Sequence, residues 1–267
     1  LTNFIHSLFL EPVKAFTNNK DLIMYLVKAE IKSRHFRKLL GPLWWLFEPL
    51  SMAIVYYFLT IIVFHSSTGS NQFLFILIAV ITWRWFSKSI DESPLLLGSY
   101  ASIIGRTNFP LLPLLYVYSG LQLVFFAAGI VVIFAFLAAY GIPLTYNIIF
   151  LPFIMLVQGT FIIGLSSILA RVGVFVKDVG SAVWVFTGIW FYLSPGIYSE
   201  TLIPQQYRFL YEINPWATIF PAYRAVLLDG TAPDFTKLAI WLGIFSVMMI
   251  IGLKVLSRNR GRIYKEL

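Results

Sequence analysis

The chain has 267 residues, 59% of them hydrophobic and only 12% charged, with a formal net charge of +8. A soluble domain carries about 25% charged residues, so an ordinary water-soluble fold is excluded and an all-α polytopic membrane protein is expected. The absence of cysteine excludes disulfides, a thiolate nucleophile and cysteine-ligated metals.

Residues 1–20 contain Glu11, Pro12 and Asn18-Asn19 with no clean apolar core, unlike a cleavable signal peptide. Residues 16–38 (FTNNKDLIMYLVKAEIKSRHFRK) set apolar side chains at 22, 23, 26, 27 and 31 among charged ones. That spacing predicts an amphipathic helix lying along the membrane interface and bending into the first span; a solvent-exposed leader helix is the plainer alternative. Apolar runs of about 20 residues cross a bilayer as helices and lack the alternation of barrel strands. Six transmembrane helices are expected within a single domain, at 39–64, 72–92, 109–139, 148–170, 179–194 and 238–256. The second ends in charged residues and the fifth is short. Residues 195–234 are too apolar for a free loop and too broken by proline and glycine for a crossing. They predict re-entrant or interfacial helical segments on the outer side, because irregular backbone at membrane depth must be shielded by protein or by a water-filled cavity.

Of the 20 Lys and Arg residues, only Arg208, Arg224 and Lys237 fall on the side opposite the rest. By the positive-inside rule both termini are cytoplasmic. The same distribution sets the bases against anionic headgroups, so the positive charge does not call for nucleic acid.

No Gly-x-x-x-x-Gly-Lys-Ser/Thr loop occurs, so ATP binding through a P-loop is not expected. His6, His35 and His65 are scattered, without the pairing of a zinc site. Asp91 and Glu92 are adjacent, with Glu92 one turn from Lys88; glycosyl chemistry would need carboxylates facing across a cleft. Neither catalysis nor a metal is expected. Ionisable groups inside a span mark transport or relay sites, and Glu48 in the first span is the one such residue. Arg84 or a base of the amphipathic helix suits it as a partner, in a structural or gating pair rather than a proton relay. A membrane chain with no engine and no relay takes its energy from a partner.

The stretch KAEIKSRHFRKLLGPLWWLFEPL resembles the start of the transmembrane subunits of ABC-2-type exporters, in particular those for bacterial cell-surface polysaccharides, O-antigen exporters among them. Leu40, Gly41 and Trp44 match a Leu-Gly-x-x-Trp element, and Pro49 a proline that follows it. GRTNFPLLPLL (105–115), VFVKDV (174–179, with Lys177 where arginine is usual), SPGIYS (194–199), NPWATIFPAYRAVLLDG (214–230) and the ending RNRGRIYKEL resemble the same family in the same order. The resemblance implies a homodimer carrying two copies of a separate ATPase subunit, which would hold ATP and Mg2+ while this chain has no cofactor. The implied site of action is the bacterial inner membrane, and the implied cargo a lipid-linked glycan, O-antigen foremost, with teichoic acid, capsule, a simple lipid or a drug as the alternatives. It further implies a cytoplasmic coupling helix at 94–106 that would present Leu97, Tyr100 and Ile104 to the ATPase.

Aromatic residues make up 18% of the chain. Sugars have apolar C–H faces, so rings lining a pore would let a glycan slide. The candidates are Tyr56, Tyr57, Trp83, Trp85, Trp184, Trp190 and Tyr192, each of which the interfacial belt or ordinary packing accounts for equally well. Arg208 and Arg224 are candidates for lipid phosphate, with local pairing to Glu212 and Asp229 as the alternative.

Overall fold

The computed structural model describes residues 14–35, 41–65, 71–102, 104, 110–258, 261, 263 and 266. All regular structure among them is helical. Leu40, Arg106, Asn108, Phe109 and much of the basic tail lie outside the described residues.

The main elements are α1 (Lys20–His35), α2 (Trp44–Tyr57), α3 (Gln72–Glu92), a single turn α4 (Leu96–Ser99), α5 (Leu111–Ala139), α6 (Leu151–Phe175), α7 (Val179–Tyr192), the short α8 (Arg208–Glu212), α9 (Trp216–Leu227) and α10 (Phe235–Ser257). Among the described residues, five stretches are long and apolar enough to cross a membrane: Trp44–Val63, Gln72–Ser99, Leu111–Ala139, Tyr146–Phe175 and Phe235–Ser257. The fifth expected span, 179–194, is a 14-residue helix, α7, shorter than those five. At 1.5 Å per residue it is about 21 Å long, against a hydrocarbon core of about 30 Å.

Local chemistry explains where the long helices begin and bend. Pro49 inside α2 withholds a backbone donor. Beyond Tyr57 the helix widens into a π-helical stretch, Phe58–Val63, where the Thr60 hydroxyl donates to the carbonyls of Tyr56 and Tyr57. Pro110, with extended backbone, precedes α5, and Pro152 sits in the first turn of α6, where a missing N–H costs nothing. The carboxylate of Asp234 caps α10 by accepting from the Lys237 amide at 3.0 Å. At its other end Arg171 of α6 donates to the carbonyls of Val255 and Arg258.

Helices α6 and α10 cross so closely that a Cβ on Gly252 would sit 2.5 Å from the Gly164 carbonyl oxygen. Small residues at such a crossing let backbones touch and gain dispersion energy where lipid offers no hydrophobic drive. The buried stripe of α1, Ile23 and Val27, packs on Val117 of α5. Protein covers that stripe, while Met24 and Tyr25 on the same helix are exposed.

The core is aromatic. Trp83 and Phe86 of α3 meet Trp216 of α9 at ring distances of 4.7 and 5.0 Å. Phe161 of α6 stacks on Phe245 of α10 at 4.2 Å. Helix α9 starts beside Trp83 and Phe86, midway along α3, and runs back past Phe75 toward Gly230, whose carbonyl accepts from Asn147 at 2.7 Å. Of its 12 residues all but Pro221 and Ala225 are buried. It is packed inside the helical bundle.

Candidate functional site

A groove of about 520 Å³ runs between α2, α3 and α7. Its floor is one face of α3, where Arg84, Ser87, Lys88 and Asp91 follow one another at helical spacing. Glu48 of α2 reaches across to form an ion pair with Arg84, and its other oxygen lies 4.0 Å from Lys88 Nζ. The Thr187 hydroxyl of α7 donates to Asp91 at 2.6 Å and fastens the opposite wall. Two bases and two acids thus make a floor with no formal net charge.

Aromatic side chains form the upper part of the groove. The hydroxyls of Tyr56 and Tyr192 meet at 3.2 Å and tie α2 to α7. Trp184 is 68% exposed and Tyr192 56%, so both rings are available to a ligand in the groove. Polar groups below and rings above suit a molecule with hydroxyl edges and apolar faces.

Of the seven aromatic candidates, the groove gathers four: Tyr56, Trp83, Trp184 and Tyr192. The other three lie outside this groove. Trp85 turns to the opposite side of α3 and stacks on Phe126 at 4.5 Å. Trp190 packs on Trp83 and donates its indole N–H to Asn214 at 3.2 Å. Tyr57 sits edge-on to Phe73 at 5.9 Å, away from the groove.

Arg224, the other lipid-phosphate candidate, lies inside the bundle. It is buried, and its guanidinium donates to the carbonyls of Phe75, Pro195 and Gly196 at 3.2, 2.8 and 2.6 Å. These three acceptors occupy the guanidinium, while Asp229, the expected local partner, acts on it through its charge. Arg208 remains at the surface, 3.9 Å from Glu212 one turn on.

The expected coupling face is inverted. Leu97 and Ile104 are buried against Leu111, Leu115, Ala170 and Leu256, because apolar side chains at this turn find a core within their own chain. Tyr100 is half-buried, with its hydroxyl 3.5 Å from Glu30 of α1. The side of this segment that faces outward carries Leu95, Gly98, Ser99 and Ser102. Beneath it Gly173 of α6 lies against Pro94 so tightly that a Cβ would fall 2.1 Å from the Pro94 carbonyl oxygen.

Three polar contacts that organise the site were missed in the sequence: Asp91 with Thr187, Lys88 with Glu48, and Asn214, which accepts from the indole of Trp190 and the amide of Trp216. Only Asn214, lodged before proline in an apolar stretch, carried a local signal.

No group of three or more His, Asp or Glu side chains among the described residues could hold a metal. The family model for the ABC-2 type transporter matches residues 21–228. Over 247 residues the chain is 28% identical to the O-antigen export system permease protein RfbA of Klebsiella pneumoniae, covering 91% of this chain and 93% of that one. A protein of the same name from Myxococcus xanthus is 24% identical over 252 residues, covering 93% and 96%. The span pattern and the match over most of its length agree: this chain is a non-catalytic, multi-pass membrane permease and belongs to the ABC-2 type transporter family.

Proposed function

We propose that this chain is the channel-forming subunit of an ATP-driven exporter that moves a lipid-linked polysaccharide, O-antigen foremost, from the cytoplasmic to the periplasmic side of a bacterial inner membrane. It works as a homodimer on two copies of a separate ATPase, which bind ATP and Mg2+. The observation that carries this reading is the likeness, over nine-tenths of the chain, to relatives named as O-antigen export permeases.

The groove supports it chemically. Its rings offer faces to sugar C–H surfaces and its charged floor offers hydrogen bonds to hydroxyls, so a polymer is held weakly at many points and slides. The Glu48–Arg84 pair closes the end nearer the basic loops, which the positive-inside rule sets in the cytoplasm with both termini. Leu95, Ser99 and Ser102 form the contact with the ATPase, and Arg208 is the exposed far-side cation for the phosphate of the lipid carrier.

The test is ATP hydrolysis by the chain co-assembled with its candidate ATPase in lipid nanodiscs, with and without a polyprenyl-pyrophosphate-linked glycan. Hydrolysis that responds to the glycan lipid supports the reading. A response to simple lipids or drugs alone keeps the family and removes the polysaccharide. If no ATPase forms a complex with the chain, the exporter reading fails.

A further inference from the structure

One position along α7 leaves the groove without a side chain. Trp184, Gly188 and Tyr192 follow at four-residue intervals, so they share a face of the helix, and all three line the groove. Eight residues at 1.5 Å each set the Cα atoms of the two aromatic residues about 12 Å apart, with Gly188 midway. At Gly164 and Gly252 a neighbouring backbone forbids a Cβ, whereas at Gly188 a Cβ would meet nothing within 4 Å. Glycine weakens a helix interior, and no close approach demands it here. What it leaves is a hollow, with the exposed Trp184 ring at one end and Tyr192, tied to the Tyr56 hydroxyl, at the other.

The side of the hollow toward α3 is polar. Thr187, next to Gly188 in the chain, donates to Oδ1 of Asp91, and that is the carboxylate's single hydrogen bond among the described residues. Asp91 lines the groove, where Oδ2 is not sealed off and remains free to accept. Arg84 pairs with Glu48, and Lys88 Nζ lies 4.0 Å from the same carboxylate. Charges within a span face water or protein rather than acyl chains, so the hollow beside them is hydrated. With two bases already set against two acids, a ligand charge of either sign goes uncompensated. An uncharged unit with apolar faces and donor hydroxyls leaves that balance intact, and its hydroxyls find Oδ2.

We infer that the hollow over Gly188 is a subsite for one uncharged pyranose unit of the exported polymer. Trp184 and Tyr192 offer their rings to its C–H faces, Asp91 Oδ2 accepts from its hydroxyls, and acidic sugars are disfavoured there. This rests on the reading of the groove as a glycan path and adds the class of sugar that the path favours. Gly188 is then a specificity-determining residue, because a larger side chain would take the place of the sugar without disturbing any neighbour.

The test uses the chain, which has no cysteine of its own, in the assembly in which it purifies, in lipid nanodiscs. Gly188→Cys places one thiol in open space, and its reaction with uncharged 2-hydroxyethyl methanethiosulfonate is followed by the mass of this chain. The thiolate is the reactive form, so a hydrated hollow reacts and a lipid-covered one does not. Maltotriose is expected to slow the reaction saturably, and trigalacturonic acid to bind about tenfold more weakly, a difference of about 1.4 kcal/mol. Asp91→Asn should equalise or invert the two sugars. Trp184→Leu should weaken both several-fold and keep their ratio. Absence of reaction, absence of slowing by either sugar, equal binding, a preference for the acid, or a preference unchanged in Asp91→Asn overturns the inference. Should Asp91→Asn fail to fold, the ratio at Gly188→Cys and the effect of Trp184→Leu still decide. Hydrolysis stimulated by the glycan lipid tests the exporter reading separately: with that response intact, failure at Gly188→Cys removes the subsite alone.

Discussion

Arg224 holds its guanidinium 3.2 Å above the ring centre of Phe75 while its N–H groups reach three backbone carbonyls. Phe75 belongs to α3, Arg224 to α9, and the carbonyls of Pro195 and Gly196 to the turn after α7. One side chain therefore fixes three elements that no backbone hydrogen bond joins.

Lysine cannot reproduce this arrangement, since it has neither the planar fork nor the stacking face. Arg224→Lys should destabilise the purified protein by about 2 kcal/mol or more, because each carbonyl left without a donor costs about 1–3 kcal/mol. Arg224→Ala should do worse. Thermal unfolding in detergent measures both, and a lysine variant as stable as the parent would show that the carbonyls find other donors.

The crossing of α6 and α10 gives a paired test within one helix. Gly252→Ala puts a methyl 2.5 Å from the Gly164 carbonyl and should cost about 1–3 kcal/mol as the helices part. Gly243→Ala, on the same helix with open space around it, should be neutral or stabilise by up to about 1 kcal/mol. Equal melting temperatures for the two variants would contradict the tight crossing.

The Glu48–Arg84 pair should matter more to activity than to stability. Both side chains are partly solvated, at 25% exposure for Arg84 and 50% for Glu48. Such pairs contribute about 1 kcal/mol or less. Glu48→Gln is expected to leave the melting temperature within a few degrees of the parent and to raise hydrolysis in the absence of glycan in the assembled transporter. Unchanged basal hydrolysis would remove the pair from the gate.

Around the turn at 95–104, buried and exposed positions should separate folding from coupling. Leu97→Ala should cost about 2–5 kcal/mol, as a buried leucine does. Leu95→Asp, at a residue 60% exposed, should leave stability unchanged and weaken capture of the ATPase in a pull-down. Loss of capture with Leu97→Ala alone would restore the buried face to the interface.

The long helices were legible because each is a long apolar run, with a proline at or near the start of all but α3, and α5 at Leu111–Ala139 falls within two residues of expectation. The contact of Glu48 with Arg84 was also legible, since charges inside spans are few and must find one another. The side of α3 to which Trp85 turns was not. In a lipid-facing sequence both faces of a helix are apolar, so hydrophobic periodicity loses its contrast. Leu97 and Ile104 went astray for a related reason: apolar character says that a residue will be covered, not whether its own chain or another covers it. The acceptors of Arg224 lie 28, 29 and 149 residues away and are backbone atoms. No side-chain pattern marks them.

The shortness of α7 bears on where water lies. It ends beside Trp83, midway along α3, and the segment that follows soon carries Glu200, Gln205, Gln206, Arg208 and Glu212. Polar backbone and side chains beginning at that depth cannot be wrapped in acyl chains. They need protein or water around them, and on the proposed reading the aqueous boundary on this flank dips toward the middle of the bilayer. On the proposed reading, a polymer leaving the groove past Tyr192 is already meeting solvent, and the dry part of its journey is only as long as one short helix.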